Sequence, residues 1–240
     1  MSRQVVQGYR SLAETLRNQI VSGDLSAGSR LPGEVALGES YSLNRHTVRA
    51  ALSELENEGL IYKIQGKGTF VSVRRIPYTI SPGTSFSGTL EKLGLQGTPT
   101  LLDAKVVECP ADIAEVLDCR TGSEIYELEI LRRIEKFPVC LSTSWLSAER
   151  FPGLLDHIRP FRSLYGMLKR VYELNSPQRV WSRIEASMPE TKDQDALQMS
   201  PHTPLLVTRS LATDADGTPV ELSHSRCRSD AYTLHVNFPS

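Results

Sequence analysis

The stretch Asn44-Arg45-His46-Thr47-Val48-Arg49 leads into an apolar-periodic segment that stops at Gly59. At 3.6 residues per turn, Val48, Ala51, Leu52 and Leu55 fall on one buried stripe. That placement leaves Arg45, His46 and Arg49 off the stripe, in the first turns of the helix, with Asn44 as N-cap. A helix start that offers cations, a hydroxyl and an amide fits the major groove of a duplex. Arginine pairs bidentately with guanine, and the other groups reach base edges or phosphates. Taken alone, two arginines at a helix start are more often solvated surface charge, so the neighbouring segments decide.

Residues 9–22 carry Leu12, Ala13, Leu16 and Ile20 at helical spacing, and Ser22-Gly23 ends the run. A turn-rich stretch leads to Leu31-Pro32, followed by a short helix over about residues 34–41 with Val35, Ala36 and Leu37 available to pack. Ser42-Leu43 then turns into the basic helix. Two helices joined by a tight turn, the second basic at its start, make a helix-turn-helix pattern. After Gly59, two β-prone runs, residues 60–64 and 69–73, flank Gln65-Gly66-Lys67-Gly68. This is a hairpin whose glycines let the backbone come close to a phosphate or the minor groove. A hairpin directly behind a recognition helix is a wing. The predicted DNA-facing residues are Asn44, Arg45, His46, Thr47 and Arg49 on the helix, and Gln65, Gly66 and Lys67 on the wing.

Charge supports that division. The whole chain of 240 residues has a formal net charge of −1, but residues 1–75 hold 10 Lys+Arg against 7 Asp+Glu, and the remainder 17 against 21. The first segment is therefore at +3 and the rest at −4. With 40% hydrophobic and 23% charged residues, the chain reads as a soluble, cytoplasmic protein of two domains. No apolar run approaches the ~20 residues that span a bilayer. Cys109, Cys119, Cys140 and Cys227 form no C-x-x-C pair and have no histidine at ligand spacing, which predicts reduced buried thiols and no metal.

The first third resembles the GntR family of bacterial transcription regulators. The carrying residues are Gly28-x-x-Leu31-Pro32, Asn44-Arg45-His46-Thr47-Val48-Arg49-x-Ala51-Leu52, Gly59-Leu60 and Gly66-x-Gly68-Thr69-Phe70-Val71. The resemblance implies a winged helix-turn-helix and double-stranded operator DNA as partner. Two positions depart from the family pattern. Val35 stands where an arginine often contacts DNA, and Gly33 removes a side-chain cap from the second helix.

Beyond residue 75 the sequence predicts a linker at residues 76–82, where Pro77 and Pro82 discourage a helix. Residues 83–240 then read as one α+β domain with an antiparallel sheet. Helices are expected at about 85–93, 110–117 with Pro110 in first position, 164–172 capped by Ser163, and 190–199. Strands are expected at 100–108, 124–133, 139–146 after a turn at 136–138, 179–186, 205–212, 220–228 and 234–238. On the strand 124–133, alternation puts Arg132 on the apolar face with Tyr126, Leu128 and Ile130. A buried arginine is rare unless it is paired or holds an anion. An internal ion pair with Glu221 and a ligand contact stand level at this point.

This second part resembles the effector (UTRA) domain of the HutC subfamily, with a chorismate-lyase-like fold. The residues that carry it are Phe151-Pro152-Gly153-Leu154, Ser163-Leu164-Tyr165, Arg209, Asp216-Gly217-x-Pro219-Val220-Glu221 and Arg228-x-Asp230-x-Tyr232. It implies a homodimer and a small anionic effector held by Ser85, Phe86, Ser87, Arg132, Ser163, Tyr165 and Glu221. Ile130, Ser142 and Cys227 depart from residues common in that pocket, so the effector should differ from those of other members. Two short stretches, residues 44–47 and 131–134 leading to Cys140-Leu141, look closest to regulators of phosphonate metabolism, the PhnF type. The expected function is repression of a catabolic operon such as phosphonate utilisation, with another HutC-type pathway, amino sugar or histidine catabolism, as the alternative. An enzyme is the rival class. Against it stand the lack of a Gly-rich phosphate loop, metal-ligand cluster or nucleophile motif, and scattered histidines at 157, 202, 224 and 235. No cofactor and no catalytic residue are expected.

Overall fold

The computed structural model describes residues 8–26, 28–64, 66, 68–72, 76–83, 86–92, 97–134, 137–175 and 177–236. It divides into two compact units, with the main boundary after Arg75.

In the first unit, α1 (Tyr9–Ser22), α2 (Glu34–Tyr41) and α3 (Arg45–Asn57) precede a hairpin of β1 (Ile61–Ile64) and β2 (Gly68–Val71). The core is the one the helical periodicity predicts. Leu12, Ala13 and Leu16 of α1 meet Val48, Ala51, Leu52 and Leu55 of α3, all at most 2% exposed. The second helix differs from expectation. Only Leu37 is buried, while Val35 and Ala36 face solvent. Gly33 occupies the N-cap with no side-chain hydrogen bond, as its lack of a side chain requires. Residues 28–31 also do more than turn. The Gly28 amide donates to the Val71 carbonyl and the Leu31 amide to the Thr69 carbonyl, so this segment runs along the outer edge of β2.

The second unit is built on a six-stranded antiparallel sheet in the order β4-β5-β6-β9-β8-β7. Its strands are β4 (Gly97–Glu108), β5 (Glu124–Ile134), β6 (Phe137–Ser147), β7 (Gln178–Ser187), β8 (Leu205–Thr213) and β9 (Pro219–Arg228). The stretch expected as a linker is in part a strand. β3 (Ile76–Ile80) pairs in parallel with β10 (Tyr232–Val236), the last strand of the chain. Pro77 is compatible with this because a strand paired on one side has an edge that needs no donor. Phe137 and Pro138 belong to β6 rather than to a turn, and β6 bulges at Val139, which leaves Cys140 opposite Arg132 and Pro138 opposite Arg133.

Helices cover the sheet. α6 (Leu154–His157) and α7 (Leu164–Tyr172) bury Leu154, Leu164, Met167 and Leu168 against Tyr126, Leu128, Ile130 and Leu146 on one face. α5 (Ala111–Leu117), with Pro110 at its N-cap rather than inside it, packs Ile113, Ala114 and Leu117 near Ile125 and Leu222. α4 (Phe86–Lys92) and α8 (Thr191–Leu197) complete the unit. The fully buried Arg228 is satisfied by charge and geometry. Its guanidinium donates to Asp230 at 2.9 and 2.7 Å and to the Leu197 carbonyl at 3.1 Å, and it lies 4.4 Å from the Phe137 ring centroid.

One expectation about sulfur is overturned. Cys140 and Cys227 are joined in a disulfide, not kept as separate thiols. They are register partners on neighbouring strands with Cα atoms 4.1 Å apart, a juxtaposition that their spacing of 87 residues in sequence conceals. Cys109 and Cys119 are free, with sulfurs 3.5 Å apart. Burial, followed by the Cys119 neighbour, pushes the Cys109 thiol up to about 12.

Candidate functional site

The basic end of α3 is set by its cap. The Asn44 side-chain oxygen accepts from the Thr47 amide at 2.9 Å and from the Thr47 hydroxyl at 3.1 Å. The cap satisfies a donor that would otherwise be orphaned and fixes the direction in which the first turn emerges. Arg45, His46 and Arg49 are exposed around it, and Thr47 is half-buried.

A contact that the sequence left unnoticed ties the two arginines together. The Glu34 carboxylate, in the first turn of α2, accepts from Arg45 Nε at 3.0 Å and from Arg49 Nε at 2.8 Å. Burial raises the carboxyl pKa, but the hydrogen bonds and charges of Arg45 and Arg49 outweigh it and hold Glu34 below the usual range. The spacing within α2 gives no sign of this contact, because the partners of Glu34 lie across a turn.

In the wing, Ile64 pairs with Gly68, and Tyr62 stacks on Phe70 with ring centroids 5.6 Å apart. Gly66 and Gly68 have φ of +75° and +112°, a region that only glycine enters freely. A Cβ on Gly68 would lie 2.8 Å from Arg30 Nε, so the wing base is closed by another guanidinium. Gln65 and Lys67, predicted at the wing tip, lie outside the described residues.

The second candidate is a cavity on the sheet face that also carries α7. Its floor is polar by alternation. Register places Ser142, Ser225 and Thr208 in one row across β6, β9 and β8, and Ser144, Ser223, Ser210 and Ser182 in the next. Hydroxyls of Ser182, Thr208, Ser210, Ser223 and Ser225 line the cavity. Ser182 and Ser210 share a hydrogen bond of 2.8 Å. Tyr78 and Ile80 of β3, with Tyr232 and Leu234 of β10, form another wall. Two cations enter it, Arg132 and Arg179, and no carboxylate lines it among the described residues. Arg132 Nη1 donates to Ser142 Oγ, and Arg179 Nη2 donates to Tyr78 Oη at 3.3 Å. Positive charge with hydroxyls that both donate and accept suits an anion bearing polar groups.

The predicted effector residues divide. Arg132 stands in the cavity wall. Glu221 and Tyr165 do not line it but form a buried relay beside it. Ser144 Oγ donates to Glu221 Oε1 at 2.5 Å and Tyr165 Oη to Glu221 Oε2 at 2.6 Å. Burial, then the charge and hydrogen bond of Glu221, hold the Tyr165 phenol far above its ordinary value. Arg179 and Arg132 pull the other way, so both cations act on this hydroxyl. Ser163 Oγ accepts from the Gly166 amide at 3.2 Å, which caps α7. Ser85 lies outside the described residues. Phe86 and Ser87 open α4, of whose first two side chains nothing is described. Arg179, Tyr78, Tyr232 and the hydroxyl rows were missed. The alternations Ser142-x-Ser144, Thr208-x-Ser210 and Ser223-x-Ser225 were visible in the sequence, but only the register shows them in line.

The described helices include none long and apolar enough to cross a membrane. Residues 8–71 match the model of the bacterial regulatory proteins of the gntR family, and residues 92–233 match the UTRA domain. The chain is 32% identical over 226 residues to the HTH-type transcriptional regulator GgaR of Escherichia coli K12, covering 94% of this chain and 89% of GgaR. It is 30% identical over 227 residues to the mannosyl-D-glycerate transport/metabolism system repressor MngR of the same organism, covering 93% and 92%. Its fold resembles the crystal structure of PhnF from Mycobacterium smegmatis, with a TM-score of 0.67 and 24% identity over 95% of this chain and 99% of that one. With a DNA-binding head of one family and an effector domain of the other joined in a single chain, this protein belongs to the GntR family, in the HutC/YydK-like subfamily, as a ligand-responsive transcriptional regulator.

Proposed function

We propose that the chain is a homodimeric repressor of a catabolic operon, released from its operator by a small anion bound in the hydroxyl-lined cavity. The observation that carries this reading is the pairing of Arg132 and Arg179 in a cavity with no lining carboxylate among the described residues. Such a site favours phosphonate, phosphate or carboxylate groups by charge and hydrogen bonding together. Two heads on one dimer would read half-sites about one helical turn apart, through Asn44, Arg45, His46, Thr47 and Arg49 and the wing at residues 65–67. The effector changes operator affinity only as far as it prefers one arrangement of the heads over the other.

Two effector classes are in view. Phosphonate utilisation is supported by the short sequence matches at residues 44–47 and 131–134. A sugar-derived acid is supported by the two rows of hydroxyls, and one relative is named for a mannosyl-D-glycerate system.

The test uses full-length protein and a duplex selected by it from random sequence. In a mobility-shift assay, 2-aminoethylphosphonate, methylphosphonate, glucosamine 6-phosphate and mannosyl-D-glycerate are added in turn. Release by a phosphonate supports the first class, and release by a sugar acid or phosphate the second. Failure to select any duplex, or turnover of chorismate or a phosphonate by the purified protein, would overturn the regulator reading. Light scattering that gives a monomer would overturn the dimer.

A further inference from the structure

The two sulfurs joined in the second unit sit in the wall of the effector cavity. Cys140 and Cys227 both line it, with Arg132 at the register position beside Cys140 on β5. Cys140 is buried, whereas Cys227 is half-buried, so a small reagent entering the cavity meets a sulfur. The backbone pairing of these strands runs on from the bond and does not depend on it. β6 and β9 pair from Cys140–Cys227 to Trp145–Leu222, and each is flanked by a further strand, β5 and β8. Opening the bond therefore leaves the sheet intact, which is the condition for a reversible change.

The other pair of cysteines provides the contrast. Cys109 and Cys119 also lie in contact, but Cys109 is buried with the apolar residues under α5, where the thiol is held in its unreactive form.

We infer that Cys140 and Cys227 form a reversible thiol–disulfide site in the effector cavity, modified by small two-electron oxidants such as hydrogen peroxide. In the oxidising step the two thiols form one Sγ–Sγ bond and give up two protons and two electrons. The peroxide O–O bond breaks, and both oxygens leave as water. A dithiol such as dithiothreitol reverses the step by exchange and leaves as its own disulfide. One state presents a fused sulfur pair to the ligand, and the other presents two separate thiols that can turn and donate. The cavity therefore takes a second input beside its effector. This last clause rests on the proposed function, and the oxidation itself does not.

The experiment uses the full chain, reduced with dithiothreitol, desalted and exposed to hydrogen peroxide, then alkylated while folded and mapped by mass spectrometry. A linked Cys140–Cys227 peptide should accumulate with peroxide and disappear with dithiothreitol, with the circular dichroism unchanged. Cys227→Ser should abolish the peptide and Cys109→Ser should leave it. Thiols at 140 and 227 that stay alkylatable after peroxide would overturn the inference. So would a bond that resists dithiothreitol until the chain is unfolded. Thermal shifts with 2-aminoethylphosphonate and glucosamine 6-phosphate, measured on both forms, should differ at least twofold for a compound that binds. Equal, non-zero shifts would overturn the second input. The absence of any shift in both forms counts against the proposed effector, and the peptide result then decides the redox site by itself.

Discussion

Glu34 is the residue that makes the reading head more than an exposed basic patch, since one carboxylate takes the Nε of both Arg45 and Arg49. Exposed ion pairs are worth at most about 1 kcal/mol, whereas a bidentate arginine–guanine contact discriminates by about 1–3 kcal/mol. Base contacts can therefore displace or share the carboxylate at small cost, and until then it holds two long side chains at the helix start. Arg45→Ala and Arg49→Ala should each lose specific operator binding by roughly 5- to 150-fold. Their melting curves should match that of the parent chain, because both side chains are exposed. Retained affinity in a mobility-shift assay would remove either residue from the reading set. On the sheet face opposite the cavity, burial, then Arg226 and Arg209, hold the His224 pKa below 6.5, with Asp193 and Glu185 opposing. The folded chain then binds fewer protons here than the unfolded chain. Stability from this group is complete above 6.5 and declines as pH falls through the window below it. Urea unfolding at pH 7 and pH 5 should show a smaller decline for His224→Gln than for the parent. Equal declines would rule out His224 as a source of the pH dependence.

At the scale of elements, α3 was the most legible part of the chain. Its cap, apolar stripe and glycine stop all agree, and all are local. Asn44→Ala leaves the Thr47 amide without its acceptor and should cost about 1 kcal/mol in urea unfolding. An unchanged midpoint would show that water replaces the cap. Elements that needed a distant partner were less legible. Residues 76–80 carry a proline and follow directly on the head, so they read as a linker. They are a strand only because the last strand of the chain comes back to pair with them. Val35 and Ala36 looked available to pack, yet Leu37 and Tyr41, four residues apart, take the face of α2 that meets the core and leave Val35 and Ala36 outside.

For the whole molecule, function divides between a unit that reads DNA and a unit that holds a ligand, and mutations should separate the two. Arg132→Ala removes one of the two cations lining the cavity and should abolish effector-induced release while leaving operator affinity within about twofold. Unchanged release would exclude Arg132 from the effector contacts. Arg179→Ala should act in the same direction, because both arginines line the cavity and both bear on the Tyr165–Glu221 pair. The cavity itself is a product of assembly. Its floor comes from β6, β9, β8 and β7, and β3 and β10, from opposite ends of the unit, supply Tyr78 and Tyr232.

The sequence by itself determined the head, because a helix-turn-helix with a wing is written in short-range signals: cap, 3.6-residue period, turn glycines and local charge. It also marked the strand bearing Arg132, since alternation with period two is equally local. Only the tertiary structure decided which strands are neighbours. That choice aligned hydroxyls from β6, β9, β8 and β7 into rows, brought Arg179 to Arg132's cavity, turned Glu221 towards Ser144 and Tyr165, and set Cys140 opposite Cys227. The two halves of the sheet are joined by the pairing of β6 with β9 across 77 to 87 residues of chain, where the gain comes from burying whole faces rather than from any pair of residues. No local pattern in the sequence encodes that sum.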